Sequence, residues 1–229
     1  RAAAARAAAQ PFPEPYQADN CPIPHGNMLR KPECDFGWDW NIALAPFGLY
    51  GAIRLEVSAP RVADIIVAQH HADGAVSVNV TAHTDGAAAG ASVTFTLAGQ
   101  TATAAVNNGS ATATLTLDTP DLWWPVGLGT QTLHTLAVTL GASTTTRRIG
   151  LREIELINTK DDTGTGFALR VNGHATFMKG ANWIPADALP SNITQEHCRD
   201  LLQSAVDANM NMIRVWGGGR YEPDWFYDI

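Results

Sequence analysis

Between residues 61 and 152 apolar and polar positions alternate in short runs that recur about every 8 to 12 residues, as half-buried strands do. The runs are Val62–His70, Ala75–Thr84, Ala91–Ala98, Thr101–Val106, Ser110–Leu117, Gln131–Leu140 and Ser143–Arg152. Turn signals separate them at Asp73-Gly74, Asp85-Gly86, Asn107-Asn108-Gly109 and Gly141-Ala142. Threonine and valine dominate, and both suit a pleated surface with one wet face. Seven such strands in about 90 residues predict an immunoglobulin-like β-sandwich, without the Cys…Trp…Cys signature of antibody domains. Leu122-Trp123-Trp124-Pro125 interrupts the pattern between the fifth and sixth strands and is expected to form a hydrophobic plug between domains.

Beyond this zone the period changes. Phe177–Gly180 is a short apolar run. From Thr194 to Asn209 the apolar residues Leu201, Leu202, Ala205 and Ala208 recur at helical spacing, with Thr194 as N-cap and Glu196 in the first turn. Met210–Trp216 is a second strand, and Glu222–Ile229 opens a second helix with Pro223 in its first turn. This order predicts the truncated start of a (β/α) TIM barrel. A closed barrel needs roughly 250 residues, far more than follow Arg152. The chain also opens at Arg1 rather than Met. An internal fragment of a larger protein is therefore expected.

The remaining stretches are less regular. Residues 1–10 form an Ala-rich helix, and residues 11–34 are rich in proline and lack periodicity. Residues 35–58 regain aromatic content and end in an expected strand, Ala52–Val57, with too little apolar material to close a core alone. Residues 153–176 form a connector in which Phe167–Val171 and Ala175–Met178 flank Asn172-Gly173, the strongest short hairpin signal. The chain divides accordingly into residues 1–58, 59–152 and 153–229, in a multidomain and mainly β protein.

Charge and composition exclude several classes. A formal charge of −7 with a pI near 5.4 opposes binding to nucleic acid or an anionic membrane surface. No run of about 18 apolar residues occurs, so no membrane-spanning helix is expected. The three cysteines, Cys21, Cys34 and Cys198, form no paired spacing, which tips the localisation toward a reducing compartment such as the cytoplasm. The seven histidines show no metal-ligand spacing, and no Gly-x-Ser-x-Gly elbow is present. Gly217-Gly218-Gly219 lacks the Lys-Ser/Thr or spaced glycines of a phosphate loop, and is expected to serve a tight turn after the strand. No motif fixes an oligomeric state.

Active sites of barrels of this kind lie at the C-terminal ends of their strands. Two stretches fall there, Gly180–Asp187 and Trp216–Glu222. Trp183 and Trp216 are expected at the mouth, where aromatic faces suit the apolar face of a sugar ring, while Asn and Asp side chains fit its hydroxyls. Asp35-Phe36-Gly37-Trp38-Asp39-Trp40 is the other unusual stretch. From spacing alone Asp39 is either a hydrogen-bonded turn residue or a carboxylate facing a ligand.

Three motifs together carry a resemblance. They are Arg30-Lys31-Pro32 with Cys34–Trp40, then Phe177–Pro185, then Asn211–Gly219. In order and in composition they look like the β-mannosidases of glycoside hydrolase family 2, across essentially the whole chain. The resemblance implies the end of a jelly-roll sugar-binding domain, a complete immunoglobulin-like domain and the first strands of a catalytic barrel. It implies a substrate, a β-mannoside or manno-oligosaccharide, and no cofactor. It matches Asp39 to an aspartate that binds hydroxyls of the terminal mannose, and Trp216 to a tryptophan lining that sugar's subsite. Arg214, Asn182 and Trp183 match substrate-binding or supporting positions. Asn41-Ile42 departs from the family's usual Gly-Pro after Trp-Asp-Trp, and Tyr50-Gly51-Ala52 from a common Trp-Arg-Pro, which touches the loop geometry after Trp40. A retaining glycosidase needs two carboxyl groups roughly 5 to 5.5 Å apart. The resemblance puts both, as glutamates, on later barrel strands outside this chain, so these residues are expected to hold no catalytic pair. The competing readings are a sibling exo-β-glycosidase, such as an exo-β-glucosaminidase, and a non-catalytic carbohydrate-binding sandwich. The latter predicts sugar-facing aromatics on residues 61–152, a stretch that offers only Phe95 and the Trp123-Trp124 pair.

Overall fold

The computed structural model describes residues 1–9, 25–38, 40–49, 51–53, 55 and 60–229. Asp39, Cys21 and residues 54, 56 and 57 of the expected strand Ala52–Val57 lie outside the described residues, and Ala52, Ile53 and Leu55 are not in a strand. The described chain divides into two compact units, one made of residues 1–54 with 179–229 and the other of residues 55–178.

The first unit opens with helix α1 (Ala2–Ala8), followed by the antiparallel strands β1 (Phe36–Trp38) and β2 (Asn41–Ala43). The second unit carries seven long strands: β3 (Arg61–Ala72), β4 (Ala75–Asp85), β5 (Ser92–Leu97), β6 (Gln100–Ala105), β7 (Ser110–Leu117), β8 (His134–Leu140) and β9 (Ser143–Ile149). They form two sheets in the orders β3-β4-β7 and β6-β5-β8-β9, every pair antiparallel. All seven predicted strands are present, with ends moved by a few residues.

Alternation decides which side chains close the sandwich. Val76, Val78, Val80 and Ala82 from β4 meet Val93, Phe95, Leu97, Leu136 and Val138 from the facing sheet in one core cluster. The opposite faces carry threonines that bond across the ladder, Thr81 to Thr112 and Thr139 to Thr144, each at 2.9 Å. Strand β3 departs from strict alternation. Val62 and Ile65 both face the core because a bulge between Val62 and Asp64 resets the register. At the hairpin Asp73-Gly74 both residues take positive φ, 51° and 82°, as a two-residue turn between twisted strands requires.

Strands β10 (Ile154–Ile157), β13 (Ala168–Val171) and β14 (His174–Thr176) form a small sheet in the same unit, and β11 (Lys160–Asp161) pairs with β12 (Gly164–Thr165). The expected Asn172-Gly173 hairpin joins β13 to β14, and β10 adds a strand that the sequence pattern did not reveal. The Trp123-Trp124 pair stitches this sheet to the sandwich. Asn172 Nδ2 donates to the Trp123 carbonyl at 2.9 Å, His174 packs edge-on against Trp124, and the Arg152 guanidinium lies 4.3 Å over the Trp123 ring. Burial there pulls the Arg152 guanidinium below its ordinary value.

Because one cluster spans both sheets, residues 61–152 expressed alone are expected to melt cooperatively with a β-type far-UV spectrum. Phe95 is fully buried, so Phe95→Ala should cost about 3–5 kcal/mol of that stability. A helical spectrum, or a Phe95→Ala variant as stable as its parent in denaturant titration, would contradict this reading.

Candidate functional site

The first unit also contains strands β15 (Gly180–Trp183) and β16 (Met212–Val215), which run parallel and are connected through helix α2 (Gln195–Asp207). Helix α3 (Asp224–Asp228) follows β16. Thr194 caps α2 as predicted, its side chain accepting from the His197 backbone N–H at 3.2 Å. The first strand lies three residues later than the sequence pattern suggested, and Phe177 is 83% exposed. The cause lies in the backbone bonding of Lys179. Its N–H donates to Asn211 Oδ1, and its carbonyl accepts from the Asn211 and Met212 N–H groups. The ladder therefore starts at Gly180, where the carbonyl of Met212 comes so close that a Cβ would stand 2.0 Å from it.

The corrected strand sorts the candidate residues onto two faces. Trp183, Ile213 and Val215 turn toward the helices and pack with Cys198, Leu202 and Phe226. Trp183 is 8% exposed, and its indole N–H donates to Glu222 at 2.9 Å. Its ring therefore serves packing and does not stand open at a mouth. Within α2 the fully buried residue is Cys198, whereas Leu201 is 40% exposed, because residues 198, 202 and 205 share a face that residue 201 misses. Burial and the nearby charge of Glu222 push the Cys198 thiol up from its ordinary value. Asn182 and Arg214 stand opposite each other in register on the other, exposed face. Arg214 Nη1 donates to Asn182 Oδ1 at 3.0 Å.

Trp216 continues the Met212–Arg214 parity just past β16, and its backbone N–H donates to the Trp183 carbonyl at 2.8 Å. Two further indoles meet it. Trp38 approaches with ring centroids 5.1 Å apart and Trp40 at 5.4 Å, both edge-to-face. Such pairs contribute about 0.5–1.5 kcal/mol each beyond the area they bury. Asp39 lies outside the described residues, but both of its sequence neighbours have their rings on Trp216. Trp40 is 39% exposed, and beside the glycine loop an open cleft of about 1150 Å³ is lined by Lys31, Asp35, Phe47, Gly218, Arg220 and Tyr221.

The glycine triplet turns the chain, with the Gly219 N–H donating to the Trp216 carbonyl at 3.2 Å. Left-handed backbone is not what demands glycine there, since positive φ occurs at none of the three. The reason is space at Gly218, where a Cβ would stand 2.2 Å from Trp216 Cη2. Gly218→Ala must therefore displace an indole already held by two others. It is expected to cost about 1–3 kcal/mol and to alter the near-UV circular dichroism of the tryptophans. Gly217→Ala is the control, because its Cβ would meet nothing within 4 Å. Matching melting curves and spectra for the two variants would contradict the account.

Sequence reasoning missed Asp35 and Arg220. Asp35 Oδ1 accepts from Arg220 Nη2 at 2.5 Å, and Lys31 Nζ stands 3.4 Å from Oδ2. Lys31 is a local partner at i−4, but the Arg220 half of the cluster leaves no local trace, because it lies 185 residues away. Among the described residues no cluster of three or more His, Cys, Asp or Glu side chains could hold a metal ion.

Two sequence profiles now place the chain among known proteins. Residues 60–152 match the profile of glycosyl hydrolases family 2, and residues 1–51 match the galactose-binding domain-like profile of glycosyl hydrolase 2. The chain belongs to family 2 of the glycosyl hydrolases. This family 2 chain is 35% identical over 213 residues to β-mannosidase B of Emericella nidulans, and 37% identical over 214 residues to β-mannosidase B of Aspergillus fumigatus. Each match takes in 87% of the chain and 25% of the relative, so the chain spans about a quarter of the length of these curated relatives. Among solved structures it resembles the β-D-mannosidase of Dictyoglomus thermophilum with a TM-score of 0.84 at 30% identity, over 98% of this chain and 29% of that one. The exo-chitosanase of Amycolatopsis orientalis is similar at a TM-score of 0.55 and 26% identity, over 74% of this chain and 21% of that one.

Proposed function

We propose that these 229 residues are part of a retaining exo-β-mannosidase that releases terminal, non-reducing β-D-mannose from β-mannosides or manno-oligosaccharides without a cofactor. The observation that carries the reading is the gathering of Trp38 and Trp40 on Trp216 at the end of β16. It brings both tryptophans of the Trp-Asp-Trp motif to the end of a strand where barrel enzymes bind their substrates. The similarity to β-mannosidases across most of the chain supports the same reading.

In this proposal residues 1–58 are the C-terminal part of a jelly-roll sugar-binding domain, residues 59–152 an immunoglobulin-like sandwich, and residues 153–229 the connector and first strands of a TIM barrel. The parallel pair β15–β16, with its helices on one face, is what such a barrel start requires. Asn182 and Arg214 then look into the barrel, where their mutual hydrogen bond holds two polar groups ready for sugar hydroxyls. Trp216 supplies the apolar platform, and Asp39 the carboxylate that accepts from mannose hydroxyls. Trp183 is a supporting residue, fixing Glu222 beneath the strand ends. The catalytic acid/base and nucleophile belong to later strands.

The test is a release assay on the full-length enzyme with aryl β-mannoside, β-glucosaminide and β-galactoside. A clear preference in kcat/KM for the β-mannoside is the expected result. Preference for the β-glucosaminide would assign the chain to the sibling activity instead, the alternative that the similarity to the exo-chitosanase keeps open.

A further inference from the structure

Asp35 is buried in the first unit, its side chain only 4% exposed, and both of its carboxylate oxygens are engaged. Oδ1 accepts from Arg220, which lies four residues beyond Trp216. Oδ2 faces Lys31, whose ammonium also donates to the carbonyl of Pro46. The backbone of Asp35 is tied as firmly, since its carbonyl accepts from the Ala45 N–H at 2.6 Å and its N–H donates to the Pro32 carbonyl at 3.1 Å. One residue earlier, the Cys34 carbonyl accepts from Asn41 Nδ2 at 2.9 Å. A carboxylate this deep is costly unless paired, and two cations pair it here.

The position of this cluster along the chain gives it consequence. Asp35 stands immediately before β1, three residues ahead of Trp38, and Arg220 closes the glycine loop that begins at Trp216. The ion pair therefore fastens the segment carrying Trp38 and Trp40 to the segment carrying Trp216. Gly218 sits between the two anchor points, where a Cβ would stand 2.2 Å from Trp216 Cη2, and its carbonyl oxygen is 3.5 Å from the Cys34 nitrogen. With its side chain 4% exposed and a cation on each oxygen, Asp35 is placed to hold Arg220 and Lys31 together.

We propose that Asp35 and Arg220 are positioning residues that set the relative placement of the Trp38, Trp40 and Trp216 rings, and through them the affinity for the terminal sugar. The link to affinity rests on the reading of Trp216 as the sugar platform, whereas the link to ring placement stands on the geometry alone.

The experiment uses Asp35→Asn, Arg220→Gln, the double variant and the charge-keeping Arg220→Lys, which loses the guanidinium fork. Near-UV circular dichroism on the 229-residue chain reports ring placement, with Trp216→Phe identifying the band that belongs to the cluster. KM and kcat for an aryl β-mannoside, on the full-length enzyme well below its melting temperature, report affinity. Each single variant is expected to diminish the cluster band and to raise KM about tenfold, with a smaller change in kcat. The double variant should be no worse than the poorer single one, because the partners act as a unit. Arg220→Lys should fold and still shift the band. Wild-type band and KM with only a lowered melting temperature would overturn the proposal. A full-length enzyme inactive on the β-mannoside, with the band still dependent on Asp35, would sink the substrate reading and leave the positioning role intact.

Discussion

Purified free of host enzymes, the 229-residue chain is expected to release no aglycone from an aryl β-mannoside. Retaining hydrolysis needs one carboxylate to attack the anomeric carbon and a second carboxyl group to protonate the leaving oxygen, held roughly 5 to 5.5 Å apart. The glutamates in the strand–helix region of this chain are occupied otherwise. Glu196 sits in the first turn of α2, and Glu222 accepts from the Trp183 indole on the helix-packed side of the strands. Earlier in the chain, Glu155 pairs with Arg170 at 2.6 Å within the small sheet of the second unit. Residues that position a sugar lower a barrier only when a nucleophile and a proton donor are there to be positioned. The tryptophan cluster, Asn182 and Arg214 can then confer binding at most. The check is a discontinuous assay with long incubation beside a full-length positive control. Turnover that co-purifies with the chain and disappears in a Trp216→Ala variant would refute the assignment of catalysis to later strands.

The sandwich was legible because alternation and turn chemistry are local signals that agree with each other. Val76, Val78 and Val80 alternate toward the core, and Asp73-Gly74 supplies the positive φ that a tight hairpin needs, so strand and turn predict one another. The bulge in β3 was invisible, since Val62 and Ile65 become equivalent only once the partner strand fixes the register. The strand Gly180–Trp183 was displaced in the reading because Phe177 and Met178 look like strand residues, whereas the Asn211 side chain and the carbonyl of Met212 decide where the ladder begins. That displacement also hid the burial of Trp183. With the right limits, parity alone puts Trp183 on the face of Ala181 and opposite Asn182. The glycine triplet was recognised as a turn, but its reason, the room taken by the Trp216 indole, is a tertiary fact. Asp35 shows the boundary most clearly. Lys31 at its i−4 position is a readable hint, but Arg220 becomes a partner only after the strand–helix segment folds against β1.

In the full-length enzyme, Asp39→Ala is expected to lower kcat/KM by roughly one to two orders of magnitude. The flanking tryptophans motivate this, because Trp38 and Trp40 both hold their rings on Trp216, and the resemblance matches the residue between them in sequence to an aspartate that binds sugar hydroxyls. A carboxylate beside an aromatic platform suits a sugar, with the platform taking the apolar face and the carboxylate accepting from hydroxyls. A charge-assisted hydrogen bond of this kind is worth about 1.5 to 3 kcal/mol, which sets the size of the loss. If the bond tightens as the ring distorts toward the transition state, kcat falls along with any rise in KM. A purely structural Asp39 predicts the opposite division, with lower thermal stability and normal kinetics per folded molecule. Asp35→Asn offers the useful contrast, since loss of ring placement should appear chiefly in KM. Measured together, the two variants separate the group that touches the sugar from the groups that hold the platform. An Asp39→Ala enzyme that melts early but keeps wild-type kcat/KM would remove Asp39 from the site while leaving the tryptophan cluster in it.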